Sequence, residues 1–400
     1  MRIVLTSESY LPYLSGVTVS VDAQARGLGA RGHEVMVVAP RPARGARVEP
    51  VGSPGPEPRY VWLPSYQLGA IVPPAYRMPW PNPWSRALRE ARDFGPDLVH
   101  AHSPFVTGLL ARTLARSTGV PLVFTHHTRF ADYAHYVGPL AGPGRRLTAA
   151  YLRGFWQACA AIVATSDDLA ASIRAEIGTT AADRVHVVPT GIDVAGIQAL
   201  APIDPRAAAG WPSEALVVAS LGRLAPEKSP ELVLDAFAVA VGRVPELRLL
   251  VVGGGSSEAT LRRRAAMTDL YGRVHLTGAL PRPEALSRIA GADLFLFTSR
   301  TETQGLVLAE ALSAGLPAVA IDGPGVRDSI RDGIDGIVVQ AGLDVSARDR
   351  LADAITELSA DDARRSVMAE RARSEAGRFA VERRVAELEA LYRILARPGS

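Results

Sequence analysis

Apolar residues in this chain gather into short, nearly unbroken runs separated by longer stretches of mixed polarity. Ile3 to Thr6 is the first run. A loop with Pro12 and Gly16 follows, then a helical spacing through Arg31, then a second apolar run from Glu34 to Ala39. Runs of this length bounded by turn residues read as strands covered on both faces, so the opening reads as βαβ. The rhythm resumes with strands predicted from Asp97 to Ala101, Pro121 to Thr125, Ala161 to Ala164 and Val185 to Val188, and helices from Phe105 to Ser117 and Arg145 to Cys159. Strands spaced by helices in this way predict a parallel sheet.

A polar stretch around Pro202 to Pro212 reads as a linker, after which a second alternation begins. Its strands are predicted from Leu216 to Leu221, Leu247 to Val252, Val274 to Thr277, Leu294 to Phe297 and Ala318 to Ile321. Its helices are predicted from Pro230 to Val241, Ser256 to Tyr271, Pro283 to Ile289 and Leu306 to Ala314. From Val345 onward the chain is helical in pattern and heavily charged. Apolar residues at Val385, Leu388, Leu391 and Leu395 suit a face that packs on a domain surface and crosses back to the first half. Four hundred residues exceed one ordinary core and fit two α/β domains of about 200 residues each. The expected division is residues 1–198, 199–378 and a closing helix at 379–400. One region breaks the rhythm: Pro50 to Pro83 holds ten prolines and crowds Tyr66, Leu68, Ile71, Val72, Tyr76, Met78 and Trp80, with Trp84 just beyond. Long irregular loops are usually functional.

With 48% hydrophobic and 21% charged residues, 36 Gly and 30 Pro, the chain belongs among soluble globular proteins. Its formal charge is +3, and its few aromatics form no evident stacking platform for bases, so nucleic acid is not an expected partner. Residues 1–193 carry 19 Arg against 14 acidic residues, an excess that suits an anionic surface near the first half, although solvated charge explains it as well. The single cysteine, Cys159, excludes an internal disulfide and a thiol metal cluster, which fits a cytoplasmic protein. The N-terminal apolar run is too short for a signal peptide and no later run approaches the length that spans a bilayer, so membrane contact is expected to be peripheral, on the inner face. Arg supplies all the basic residues except one, Lys228.

Candidate chemistry lies at strand ends, where ligands of such sheets bind. In the first loop, Pro12-Tyr13-Leu14-Ser15-Gly16-Val17 places a small residue where a helix begins, so that free N–H groups can meet an anion or a hydroxyl; a plain tight turn explains it equally well. Leu221 to Lys228 offers Arg223 and Lys228, five residues apart, as a clamp for a leaving diphosphate. The Gly253-Gly254-Gly255 turn lets backbone come close to a ligand or simply turns, and it lacks the spacing of a dinucleotide fingerprint. Most informative is Ser299-Arg300-Thr301-Glu302-Thr303-Gln304-Gly305-Leu306, running on to Glu310. Eight residues of helix is just over two turns, so Glu302 and Glu310 can share a groove and accept from hydroxyls about 10 Å apart, with the N–H groups of Gly305 and Leu306 between them. In the first half, His126 and His127 precede Asp132, Tyr133, His135 and Tyr136. No acidic or sulfur ligands surround the His pair at a familiar spacing, so binding of sugar hydroxyls by His127 is favoured over a metal.

Taken in order, these segments resemble the retaining glycosyltransferases of family four, which have the GT-B fold: two Rossmann-like domains facing each other across a cleft. The resemblance rests on Gly16-Val17, the His127 segment, Val188-Pro189-Thr190-Gly191-Ile192-Asp193, Gly222-Arg223 with Glu227-Lys228, the Gly253 turn, and Glu302 to Glu310. It implies that Arg223 and Lys228 bind the donor diphosphate, that Glu302 contacts sugar hydroxyls and Glu310 the ribose, and that Gly305 and Leu306 supply amides, with Gln304 and Gly253 beside the donor. It further implies His127 at the transferred sugar, Gly16 under the phosphate or acceptor, and backbone around Leu280 at the base. No metal or other cofactor is implied. His127-Thr128, Asp132-Tyr133, His135-Tyr136 and Thr301 to Gly305 look closest to diacylglycerol glucosyltransferases and related lipid mannosyltransferases. That likeness implies a nucleotide-sugar donor such as UDP-glucose, with GDP-mannose the alternative, and a lipid acceptor with Asp132, Tyr133 and Tyr136 on its side. The departure is Leu14-Ser15-Gly16, where many relatives have paired glycines. The Trp- and Pro-rich segment from Tyr66 to Trp84 suits a bilayer interface, or ordinary packing under the loop. Rival readings are a nucleotide-sugar epimerase, a sugar phosphorylase, and a binding protein that takes donor without turning it over.

Overall fold

The computed structural model describes residues 1–50, 55–67, 75–80, 85–127, 141–340 and 346–396, with side chains left aside at 141–145 and 179–180. It divides into two compact units, one made of residues 1–193 with 379–400 and the other of residues 194–378.

In the first unit β1 (Arg2–Thr6), β2 (Glu34–Pro40), β3 (Arg59–Leu63), β4 (Leu98–Ala101), β5 (Leu122–His126), β6 (Ala161–Ala164) and β7 (Val185–Val187) form one sheet in the order β3-β2-β1-β4-β5-β6-β7. Every pairing is parallel. Alternation along a strand sends Val4 to one core, with Met36, Val99, Phe124 and Trp156, and Ile3 and Leu5 to the other, with Leu28, Val35, Leu98 and Val123. Both faces are therefore buried, which is why these strands read as apolar runs rather than alternating ones.

Helix α1 (Gly16–Ala30) and the C-terminal helix Val381–Leu395 lie together on the second of those faces. Val385, Leu388, Leu391 and Tyr392 enter its core. The approach is close enough that a Cβ on Gly27 would sit 2.6 Å from Val385 Cγ2. Arg31 and His33 donate to the carboxylate of Glu389 at the same contact, the latter at 3.1 Å.

The second unit repeats the plan with β8 (Leu216–Leu221), β9 (Leu247–Val252), β10 (Val274–Gly278), β11 (Leu294–Phe297), β12 (Ala318–Ile321) and β13 (Gly336–Val339), ordered β10-β9-β8-β11-β12-β13. All of these pairs are parallel too. Each sheet thus reverses its winding next to its first strand, between β1 and β4 in one unit and between β8 and β11 in the other. A crevice opens at such a reversal beyond the carboxyl ends of the strands.

Some elements differ from the sequence expectation. The stretch rich in prolines contains β3, whose Tyr60-Val61-Trp62-Leu63 run is strand-like between its flanking prolines. The helix expected from Ser256 to Tyr271 ends at Ala265, because Arg264 turns back to hold Asp269 at 2.7 and 2.9 Å and Gly272 takes a left-handed φ of 72°. Within the expected linker a short helix, Pro205–Ala209, is capped by Asp204. Helices Arg86–Asp93 and Asp167–Ile177 and strand β13 also lie where no element was assigned.

Candidate active site

At the reversal in the second unit, the loop leaving β8 and the loop leaving β11 are stitched together. Thr298 Oγ1 donates to the Ser229 carbonyl at 2.9 Å and Thr301 Oγ1 to the Glu227 carbonyl at 2.9 Å. This brings the chain's only lysine against the first of the two glutamates: Lys228 Nζ donates to Glu302 Oε1 at 2.6 Å, with both side chains about four-fifths buried. Arg223, on the same loop, is 59% exposed and rests on Glu227, Nη2 to Oε1 2.5 Å. Lys228 is therefore held in a mostly buried ion pair, and Arg223 is the more exposed of the two cations.

The Gly253 turn supports that loop. Gly253 accepts nothing larger than hydrogen, since a Cβ there would lie 1.9 Å from the Gly222 carbonyl oxygen, and its φ of 143° already disfavours a side chain. Leu224 N also donates to the Gly254 carbonyl at 3.0 Å. The glycines at 253 and 255 are thus explained by loop against loop, and they hold the backbone that carries Arg223. Gly253→Ala is expected to destabilise the second unit by about 2–4 kcal/mol, seen as a lower urea midpoint, and to weaken nucleotide binding with it. An unchanged midpoint would show that the loop can yield.

Helix α2 (Leu306–Ser313) begins at Gly305, whose left-handed φ of 70° makes the turn out of the 298–304 loop. Its first N–H groups have no partners within the helix. Glu310, 6% exposed, lies in an otherwise apolar run and is balanced by Arg282, which donates to Oε1 from Nη2 at 2.5 Å and from Nε at 3.2 Å. Glu310 Oε2 makes no hydrogen bond within the described chain. Leu280, half-buried, lies two residues before Arg282, between β10 and the helix Arg282–Ala290. Gln304 is half-buried, and its carbonyl accepts from Ser329 Oγ at 3.1 Å. The second unit therefore gathers Arg223, Lys228, Glu302, Gly305, Leu306 and Glu310 around the carboxyl ends of its strands, with Arg282 added. Sequence reasoning missed Arg282, although its place at the start of a helix beside the Leu280 turn was a usable signal.

At the first unit's reversal, Glu8 follows the end of β1, His102 the end of β4 and His127 the end of β5. Glu8 is buried, and its Oε2 accepts from Thr107 N at 3.0 Å and Thr107 Oγ1 at 2.9 Å, at the start of the helix Val106–Thr118. Its Oε1 is buried without a partner among the described residues. Burial, with the charge of Glu8 adding to it, pushes the Tyr76 hydroxyl up to about 12. His102 Nδ1 and His127 Nε2 are 2.9 Å apart with their rings at 25°, and the His100 ring packs against His102 at a 33° tilt with centroids 4.3 Å apart. Burial lowers His127 to about 3, with His126 contributing, lowers His100 to about 3, with His127 contributing, and takes His102 well below its ordinary value. All three imidazoles are neutral at pH 7. Glu8 and His102 were not anticipated; the His100-Ala101-His102 spacing at a strand end was the signal for the second.

Gly16 is exposed at the first position of α1, after Ser15, whose side chain accepts from Thr18 N while Thr18 Oγ1 accepts from Ser15 N. The departure from paired glycines is thus a capping box that satisfies the helix start with Ser15. Asp132, Tyr133 and Tyr136, with His135, fall outside the described residues, as do Leu68, Ile71, Val72 and Trp84.

Two family models match the chain. Glycosyltransferase Family 4 covers residues 14–195 and Glycosyl transferases group 1 covers residues 204–375. Among characterised proteins the chain is similar to the alpha-monoglucosyldiacylglycerol synthase of Streptococcus pneumoniae, 28% identical over 84% of this chain and 74% of that protein. It is also similar to the GDP-mannose-dependent alpha-mannosyltransferase of Mycolicibacterium smegmatis, 30% identical over 93% of this chain and 92% of that one. Among solved structures, Anabaena HepE in complex with UDP aligns over 99% of this chain and 100% of its own with a TM-score of 0.73 and 18% identity.

Proposed function

The chain belongs to glycosyltransferase family 4 and is a glycosyltransferase with the GT-B fold, and from that premise we propose that it moves a hexose, with retention, from a nucleotide-sugar donor to a lipid acceptor. The observation that carries the reading is the Lys228–Glu302 pair at the reversal of the second sheet, with Arg223 on the same loop. A diphosphate bound there meets one fixed cation and one that can close over it, so charge developing on the leaving oxygen is stabilised without a metal ion. Glu302 and the free oxygen of Glu310 accept hydroxyls of the sugar and the ribose, and the first amides of α2 meet phosphate between them. The bond to the diphosphate loosens first, the acceptor hydroxyl enters from the same face, and the departing phosphate takes its proton. No enzyme-bound sugar intermediate forms.

UDP-glucose and diacylglycerol are the proposed pair, in line with the similarity to the pneumococcal synthase. GDP-mannose is the alternative donor, favoured by the mannosyltransferase that matches nearly the whole chain. No described helix is long and apolar enough to cross a membrane. Contact with an anionic bilayer, at the inner face of the cell membrane, is assigned to the first unit. There Trp80, 58% exposed, meets Tyr66 edge to face beside a short antiparallel pair, Ser65–Tyr66 with Met78–Pro79. Rings of this kind favour the headgroup boundary.

Purified protein offered a panel of nucleotide sugars with mixed membrane lipids is expected to yield a glycolipid identifiable by mass, and to do so equally in the presence of a chelator. A product on soluble acceptors alone overturns the lipid reading, and donor binding with no acceptor-dependent release of nucleotide overturns the enzyme.

A further inference from the structure

Of the residues at the first unit's reversal, His102 is the one whose geometry constrains a neighbour. Its backbone is fixed, because His102 N donates to the Thr6 carbonyl at 2.9 Å, joining the end of β4 to the end of β1. Its ring is fixed from one face by His100, which is itself locked: His100 Nδ1 pairs with the Tyr392 hydroxyl at 2.5 Å and His100 Nε2 with Thr125 Oγ1 at 2.7 Å. On its other side, His102 Nδ1 faces His127 Nε2 at 2.9 Å. His102 Nε2 is buried and has no partner among the described residues.

Two neutral imidazoles that share one hydrogen bond must supply one donor and one acceptor, and each ring carries a single N–H. If His127 Nε2 held the proton, His102 Nδ1 would be the acceptor and its own proton would sit on Nε2, a buried donor facing nothing. Orphaned buried donors are rarer than orphaned acceptors. With the proton on His102 Nδ1, the shared bond is made and only a lone pair is left over. We infer that His102 is a positioning residue that donates Nδ1–H to His127 Nε2, and so holds His127 in the tautomer whose Nδ1 carries the proton. At Nδ1 His127 can then only donate, as a hydroxyl or ring oxygen of a sugar would require, and never offer a lone pair. The inference rests on the reading of His127 as a residue at the transferred sugar only for its effect on rate; the tautomer itself is a property of the free protein.

Two measurements separate those levels. Protein labelled with ¹⁵N-histidine, with His127 assigned by comparison with His127→Gln, is expected to show His127 Nε2 as the unprotonated nitrogen at pH 7. A protonated Nε2 overturns the inference whatever the activity. In the transfer assay, His102→Leu is expected to lower kcat about ten- to a hundredfold with donor KM nearly unchanged, the scale of losing a group that orients a histidine. His102→Asn places an amide N–H close to the lost Nδ1–H and is expected to recover most of that loss. Folded His102→Leu protein with the kcat of the parent, or His102→Asn no better than His102→Leu, overturns the positioning role.

Discussion

Lys228→Ala is expected to cut turnover at saturating donor about a hundred- to a thousandfold, while affinity for the nucleoside diphosphate falls only about tenfold. The asymmetry follows from where the charge is needed. On the proposed reading, ground-state donor is held by amides at the start of α2 and by the glutamates' contacts with hydroxyls, whereas the ammonium meets charge that grows only as the sugar leaves. Arg223→Ala is expected to cost less, because Arg223 is 59% exposed and partly neutralised by Glu227. The partner of Lys228 supplies a sharper test. With the ammonium gone, Glu302 becomes an uncompensated carboxylate within the proposed donor site, so adding Glu302→Gln to Lys228→Ala should restore part of the lost turnover rather than compound the loss. Steady-state rates of the two single variants and the double variant, with calorimetric binding of the diphosphate, decide the matter. A Lys228→Ala enzyme that turns over like the parent removes the ammonium from the mechanism.

Much of this architecture was legible because parallel strands buried on both faces leave continuous apolar runs. Leu216 to Leu221 and Ala318 to Ile321 could be bounded to the residue. Elements were missed where another signal dominated locally. Prolines on either side masked the strand at Arg59–Leu63, and a carboxylate five residues downstream of Arg264 ended the helix early, at Ala265. In the second unit the approach of Lys228 to Glu302 was open to the sequence, though not drawn from it, because both residues lie just beyond the ends of strands that any such sheet brings together at its reversal. The pairing of Glu310 with Arg282 was not: the two are 28 residues apart, and only the placement of the helix Arg282–Ala290 beside α2 brings them to one contact. His102 was missed for a related reason. A histidine at a strand end carries no mark of its partner until β4 and β5 are known to be neighbours. Sequence spacing reports contacts within an element well, and contacts between loops of neighbouring strands only when the winding order is supplied.

The same buried histidines set how the protein meets acid, and the expected result is that the first unit unfolds well before the second as pH falls. His100 and His127 are held at about 3 against an ordinary value of 6.5, and His102 is lowered in the same sense, in every case chiefly by burial. A lowered native value means that the folded form refuses a proton the unfolded chain accepts. The stabilisation is therefore complete above about 6.5 and is lost as pH drops toward 3. Each such group costs about 1.4 kcal/mol per pH unit over that window, so His100 and His127 alone remove about 5 kcal/mol between pH 6.5 and 4.5. That loss is the size of a modest domain's whole stability. Carboxylates enter later. Burial alone would raise Glu389, but hydrogen bonds from Arg393, Arg31 and His33 outweigh it and hold it at about 2, so its contribution begins to fade only below about 4.5. In the second unit His275 is lowered, again mainly by burial, but it lies half-buried at β10 rather than in a core. Hydrogen exchange followed at pH 7, 5.5 and 4.5 should therefore show β4 and β5 losing protection while β8 and β9 keep theirs. His100→Asn, which keeps a polar contact toward Tyr392 but cannot take a proton, should move the acid midpoint lower. Equal protection of the two sheets at pH 4.5, or a midpoint indifferent to His100→Asn, would mean that the imidazoles find water or a counter-charge on protonation and do not govern the transition.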